Sequence, residues 1–136
     1  MTLVDPDLSF GTDDELLASV RHLIGGAIQR QLWVLFLDRA GDLKLVAPGT
    51  GNPVRPTREE CDRLAENFAE VARHLDADEV VLVHERPGPP AESAHDLAWA
   101  RYLTLAHAAA GLPIRALLLC SDAGVHPLGA ELSVRS

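Results

Sequence analysis

Four residues in one short stretch carry side chains able to do chemistry: His84, Arg86, Ser93 and Asp96. They set an imidazole, a guanidinium, a hydroxyl and a carboxylate between the apolar run Val80-Val81-Leu82-Val83 and an alanine-rich segment. The imidazole and the carboxylate have lone pairs suited to a metal ion, whereas arginine stays protonated and offers donors only. Ser93 and Asp96 also stand at capping-box spacing, where a serine oxygen receives the third helical N–H and a carboxylate suits the first turn. Capping alone therefore accounts for this pair, and a hydrogen-bonded, partly buried imidazole accounts for His84. The adjacent His95 could replace a ligand only if the helix start were rotated. His22, His74, His107 and His126 are scattered and read as surface or packing residues. Cys61 and Cys120 lie among apolar neighbours without a C-x-x-C spacing, so they read as buried thiols rather than as a disulfide or a zinc site.

The elements that must position these residues are legible from periodicity. Thr12 and Glu15 have capping-box spacing, and Leu16, Leu17, Val20, Leu23 and Ile24 recur at helical intervals up to Gly25-Gly26. Leu32 to Leu37 is an apolar run of strand length, broken by Asp38 to Asp42 before Leu43, Leu45 and Val46, which predicts a β-hairpin. The segment from Pro48 to Pro56, rich in proline and glycine, is expected as a loop. Thr57 and Glu60 open a second helix with Cys61, Leu64, Phe68, Val71, Ala72 and Leu75 on its apolar stripe. Val80 to Val83 suits a central strand ending at His84. Ser93 and Asp96 open a third helix through Leu97, Trp99, Leu103 and Ala106 to Gly111, apolar enough to be expected buried on two sides. Ile114 to Cys120 is a further strand, with short strands expected between Val125 and Val134. Trp33 and Trp99 fall inside apolar elements and are assigned to packing, and Pro87-Gly88-Pro89-Pro90 to a stiff connector.

A chain of 136 residues with 47% hydrophobic content suits one domain with its own core. Its net charge is −8, and Met1 to Glu15 holds five acidic residues and no basic one. That balance opposes nucleic-acid binding, which draws its affinity from lysine and arginine. No apolar run is long enough to cross a bilayer, and the amino terminus lacks the order of a secretory signal, so a cytoplasmic location is expected.

From Leu32 to about Gly129 the chain resembles the RadC-like branch of the JAB/MPN metalloprotease superfamily. The resemblance rests on Val34-Leu35-Phe36-Leu37-Asp38, Gly49-Thr50, Pro56 with Arg58-Glu59, and above all Val81-Leu82-Val83-His84, Arg86-Pro87, Ser93 and Asp96. It implies a single-domain mixed β-sheet flanked by helices, of JAB/MPN (cytidine-deaminase-like) architecture, over residues 1–136. Residues 1–31 would form an amino-terminal helical extension and 32–136 the core. Active members hold zinc with His-x-His and the aspartate of Ser-x-x-Asp, leaving a water position open, and an upstream glutamate moves the proton. Carried over, His84 matches the first histidine, Ser93 the serine and Asp96 the aspartate, but Arg86 stands at the second histidine. The gap from Arg86 to Ser93 is one residue shorter than usual, and no acidic residue occurs between Asp42 and Glu59.

Two requirements of the metal mechanism are thus missing, and His84, Arg86, Ser93 and Asp96 are read as vestigial positions of a metal site with no catalytic residue, metal or cofactor. One expectation is specific: the Arg86 guanidinium takes the metal's place and pairs with Asp96, tying loop to helix. The chain is expected to be a noncatalytic protein-association or scaffold module, as a homodimer or beside another subunit. The alternatives are a divergent zinc-dependent peptidase or isopeptidase with a third ligand from elsewhere, and a DNA-repair-associated protein.

Overall fold

Apolar strands with no polar face must be covered on both sides, and this requirement organises the chain. The computed structural model describes residues 10–50 and 55–129. Its elements run α1 (Asp13–Leu23), β1 (Gln31–Leu37), β2 (Leu43–Thr50), α2 (Arg58–Leu75), β3 (Glu79–Glu85), α3 (Ala94–Ala110), β4 (Ile114–Ser121) and β5 (Gly124–Pro127). The strands form one mixed sheet in the order β2-β1-β3-β4-β5. β1 lies antiparallel to β2 and β3, β3 and β4 are parallel, and β5 returns antiparallel to β4. The result is a single-domain α/β fold with three helices among the described residues. None of those helices is long and apolar enough to cross a membrane.

The period-two alternation of strand side chains divides the core. Leu32, Val34, Phe36, Val80 and Leu82 point to one face, where they meet Cys61 and Ala65 of α2 and Trp99, Leu103 and Ala106 of α3. Leu35, Leu37, Val81, Val83, Leu118 and Cys120 point to the other, against Phe10, Leu16, Val20 and Ile24. α1, expected as an extension, thus packs into the same apolar cluster as β1, β3 and β4. β3 runs through the centre, and every residue from Val80 to Arg86 is buried.

Local chemistry fixes the helix ends. Thr12 and Glu15 form a full capping box, with Glu15 N–H donating to Thr12 Oγ1 and Thr12 N–H to Glu15 Oε1, both at 3.1 Å. At α2, Glu60 N–H donates to Thr57 Oγ1, but the glutamate carboxylate receives the threonine hydroxyl instead of its N–H. Gly111 ends α3 at φ 75°, a left-handed position that glycine adopts without steric cost.

The structure departs from the sequence expectations in β2. β2 extends through Pro48, expected in a loop; an edge strand tolerates proline because no ladder bond needs its missing N–H. The loop portion at 51–54 and the tail from 130 onward, where further short strands were expected, lie outside the described residues. α3 is buried on two sides as expected, by the sheet below and α2 alongside, and leaves Leu97 38% and Leu105 48% exposed on its outer side. No described element lies over that outer side.

Leu82→Ala, at the centre of β3, is expected to lower unfolding stability by about 3 kcal/mol through lost transfer energy and a residual cavity. Leu105→Ala should change it by no more than about 0.5 kcal/mol. Urea unfolding of the two variants checks the contrast; equal losses would contradict this division between core and surface.

Candidate functional site

The carboxyl end of β3 places two consecutive ionisable residues on opposite sides of the sheet. His84 continues the row of Val80 and Leu82 toward α3, while Glu85 continues the row of Val81 and Val83 toward α1. Arg86 follows where the strand ends, its N–H still donating to the Cys120 carbonyl at 3.0 Å. Ser93 caps α3, which brings Asp96 in its first turn against the strand end. All four residues singled out in the sequence therefore meet.

Asp96 is the centre of the cluster. Its Oδ1 accepts from His84 Nε2 and from Arg86 Nε, each at 3.2 Å. Its Oδ2 accepts from Arg86 Nη2 at 2.7 Å, from Arg86 Nε at 3.2 Å and from Ser93 N–H at 2.9 Å. Asp96 N–H in turn donates to Ser93 Oγ at 3.1 Å, completing the capping box. Capping and ion pairing, weighed as separate readings of Asp96, are carried by the same carboxylate. The side chain is buried, which opposes its charge, but the His84 and Arg86 donors outweigh burial and hold its pKa well below the ordinary aspartate range. A carboxylate has about four lone-pair sites, and here they are taken.

The guanidinium is equally occupied. Beyond Asp96, Nη2 donates to the Ala91 carbonyl at 3.0 Å and Nη1 to the Pro89 carbonyl. Arg86 thus closes the loop at 87–92 back on the strand from which it leaves. Gly88 permits the turn: its φ is 122°, and a Cβ there would approach Arg86 Nη1 to 3.3 Å. The pairing of Arg86 with Asp96 expected from sequence is present, and it is buried, bidentate and extended by two main-chain acceptors.

His84 completes the cluster from below, its ring 5.6 Å from that of Trp99. Nε2 faces the carboxylate and donates to it, and Nδ1 is buried without a hydrogen-bond partner among the described residues. His95, considered as a substitute ligand, has no hydrogen bond to the cluster. His107 is a packing residue: its Nδ1 donates to the Leu103 carbonyl at 2.8 Å, and burial lowers its pKa.

The residues present do not fit a zinc site. One imidazole, a saturated carboxylate and a cation offer no open ligand set. Among the described residues no group of three or more histidine, cysteine, aspartate or glutamate side chains is placed to hold a metal ion. Nor are the thiols reactive, since burial pushes Cys61 up to about 12 and Cys120 up to about 11.

Sequence reasoning missed Glu85. On the α1 face its Oε2 accepts from Ile28 N–H at 2.7 Å and Gln29 N–H at 3.1 Å, and its Oε1 from Gln31 Nε2 at 2.8 Å and Trp33 Nε1 at 2.7 Å. This carboxylate fixes the turn that joins α1 to β1. Its signal in the sequence was alternation itself, which places a charged residue on a face that α1 must cover. Trp33, assigned to packing, is also one of its donors.

No known protein-family model matches the chain, and no curated protein matches it significantly.

The pH dependence of stability should report Glu85. Burial opposes its charge, but its four donors prevail and its pKa lies below the ordinary glutamate value of 4.5. The folded chain then binds this proton less readily than the unfolded chain, so the stabilisation is complete above about pH 4.5 and declines as pH falls through the folded pKa. Wild type is expected to exceed Glu85→Gln in denaturant stability at pH 7 by a margin that narrows below pH 4.5. A margin independent of pH would show that the carboxylate charge is not what the four donors stabilise.

Proposed function

We propose that this chain is a noncatalytic JAB/MPN-like module that works in protein association, with an internal ion pair in the position where active relatives of that superfamily hold zinc. The observation that carries the proposal is the saturation of Asp96 by His84, Arg86 and Ser93. A metal-activated water needs a ligand set with an open position and a nearby base. Here the second histidine position holds a cation that the carboxylate already binds, and no acid occurs between Asp42 and Glu59 to serve as the base.

A permanently charged arginine performs the organising part of a metal's work without its Lewis acidity. It gathers Asp96 and the carbonyls of Pro89 and Ala91 around one positive centre, fixing loop to helix. Glu85 does the converse on the other face, gathering four N–H donors around one negative centre. Together they give rigid loops at one end of the sheet, a property that suits a docking scaffold because little ordering entropy is lost on binding. The cellular site of this work is proposed to be the cytoplasm. With a net charge of −8, protein is a better partner than nucleic acid.

Elemental analysis of protein purified without added metal tests the reading. Zinc far below one equivalent is expected, and the Arg86→His variant, which restores a second imidazole, should gain measurable zinc affinity in equilibrium dialysis. Near-stoichiometric zinc in the wild type together with peptide or isopeptide cleavage would replace this proposal with the divergent peptidase.

A further inference from the structure

The outer side of α3 has the composition of a covered surface. Leu97, Arg101 and Leu105 recur there every four residues, beside exposed Thr104 and Ala108. The Thr104 hydroxyl donates to the Ala100 carbonyl at 2.7 Å, so its one donor is used within the helix. The one carboxylate of α3, Asp96, is buried. By contrast, α2 in the same layer exposes Arg58, Glu59, Arg63, Glu66, Glu70 and Arg73. Arg101 makes no hydrogen bond or ion pair among the described residues, in a chain with 20 acidic side chains against 12 basic ones.

We propose that the Leu97-Arg101-Leu105 face of α3 docks an amphipathic helix of a different protein, one whose apolar residues flank an aspartate or glutamate. The inference rests on the association reading and adds the surface and the chemistry of the partner. At a rise of about 1.5 Å per residue the two leucines lie about 12 Å apart on one side of the helix, the separation that anchors two turns apart on a partner helix would match. Arg101 lies midway between them. In a two-fold pairing with a second copy, Leu97 would meet Leu105 and the two Arg101 side chains would face each other with no exposed carboxylate from either α3. Two chains of charge −8 also repel. A carboxylate on a foreign helix opposite Arg101 removes that conflict and forms a charge-assisted bond within an apolar rim.

The probe is a fluorescein-labelled model helix of about 20 residues, with leucines two turns apart and a single glutamate between them, made also with lysine in place of the glutamate. Binding to the full chain is read by anisotropy and located by backbone amide shifts. The glutamate helix is expected to bind about tenfold more tightly than the lysine helix, with shifts on residues 94–110. Arg101→Glu should invert that order, and Leu97→Ser or Leu105→Ser should abolish most binding while leaving the melting temperature unchanged.

Equal affinity for the two helices, or shifts confined to another surface, would overturn the inference; in the latter case the association reading survives without this face. A dimer in light scattering that Leu105→Ser dissolves would equally overturn it in favour of self-association. A strictly monomeric chain that binds neither helix would count against both.

Discussion

A buried carboxylate cannot be left unpartnered, and in this fold the consequences of burying Asp96 reach from β3 to α3. The capping position of Ser93 draws Asp96 into the interior, where it receives the serine N–H and the imidazole of His84. The carboxylate charge would lack a permanent counter-ion without Arg86. The guanidinium neutralises it and then needs acceptors for its own remaining N–H groups, which the carbonyls of Pro89 and Ala91 supply by curling the loop inward. The loop's shape is therefore a result of satisfying one charge after another. A well-packed apolar replacement could equal the pair in stability, so the advantage we attribute to the ions is geometric: they hold a loop of three prolines in one place.

Glu85 extends the same logic to the other side of the sheet. Because strand side chains alternate, residues adjacent in sequence serve loops on opposite faces, and the two loops are joined at the end of the sheet. Ala27 N–H donates to the Ser121 carbonyl at 3.1 Å, and Asp122 N–H to the Gly88 carbonyl at 2.9 Å. The connections after α1, β3 and β4 are thus linked by main-chain bonds and held by two buried charges of opposite sign. This order at one end of the sheet is the property on which the proposed association role rests.

Much of this arrangement was legible before the structure. The apolar runs at Leu32–Leu37 and Val80–Val83 have strand length, and the second suited a central strand. Capping spacings at Thr12, Thr57 and Ser93 marked the three helix starts, and the electrostatics of Arg86 beside Asp96 foretold their pairing. Strand order was not legible, since neither run states which neighbour it pairs with. Glu85 escaped notice because its donors, the N–H groups of Ile28 and Gln29 and the side chains of Gln31 and Trp33, are brought to it only by the β1–β3 pairing. The exposed outer side of α3 was not legible either, because apolar composition shows that a surface suits burial without showing which side of the helix this chain covers.

If Arg86 and Asp96 act as one unit, a double-mutant cycle in urea with Arg86→Ala, Asp96→Ala and both together must show coupling. Each single change leaves a charge or a set of donors buried without its partner, so each should cost about 3 kcal/mol or more, and the double variant should cost less than their sum by about 2 kcal/mol. Losses that add to within about 0.5 kcal/mol would mean that the two residues stabilise the fold independently, contradicting the account.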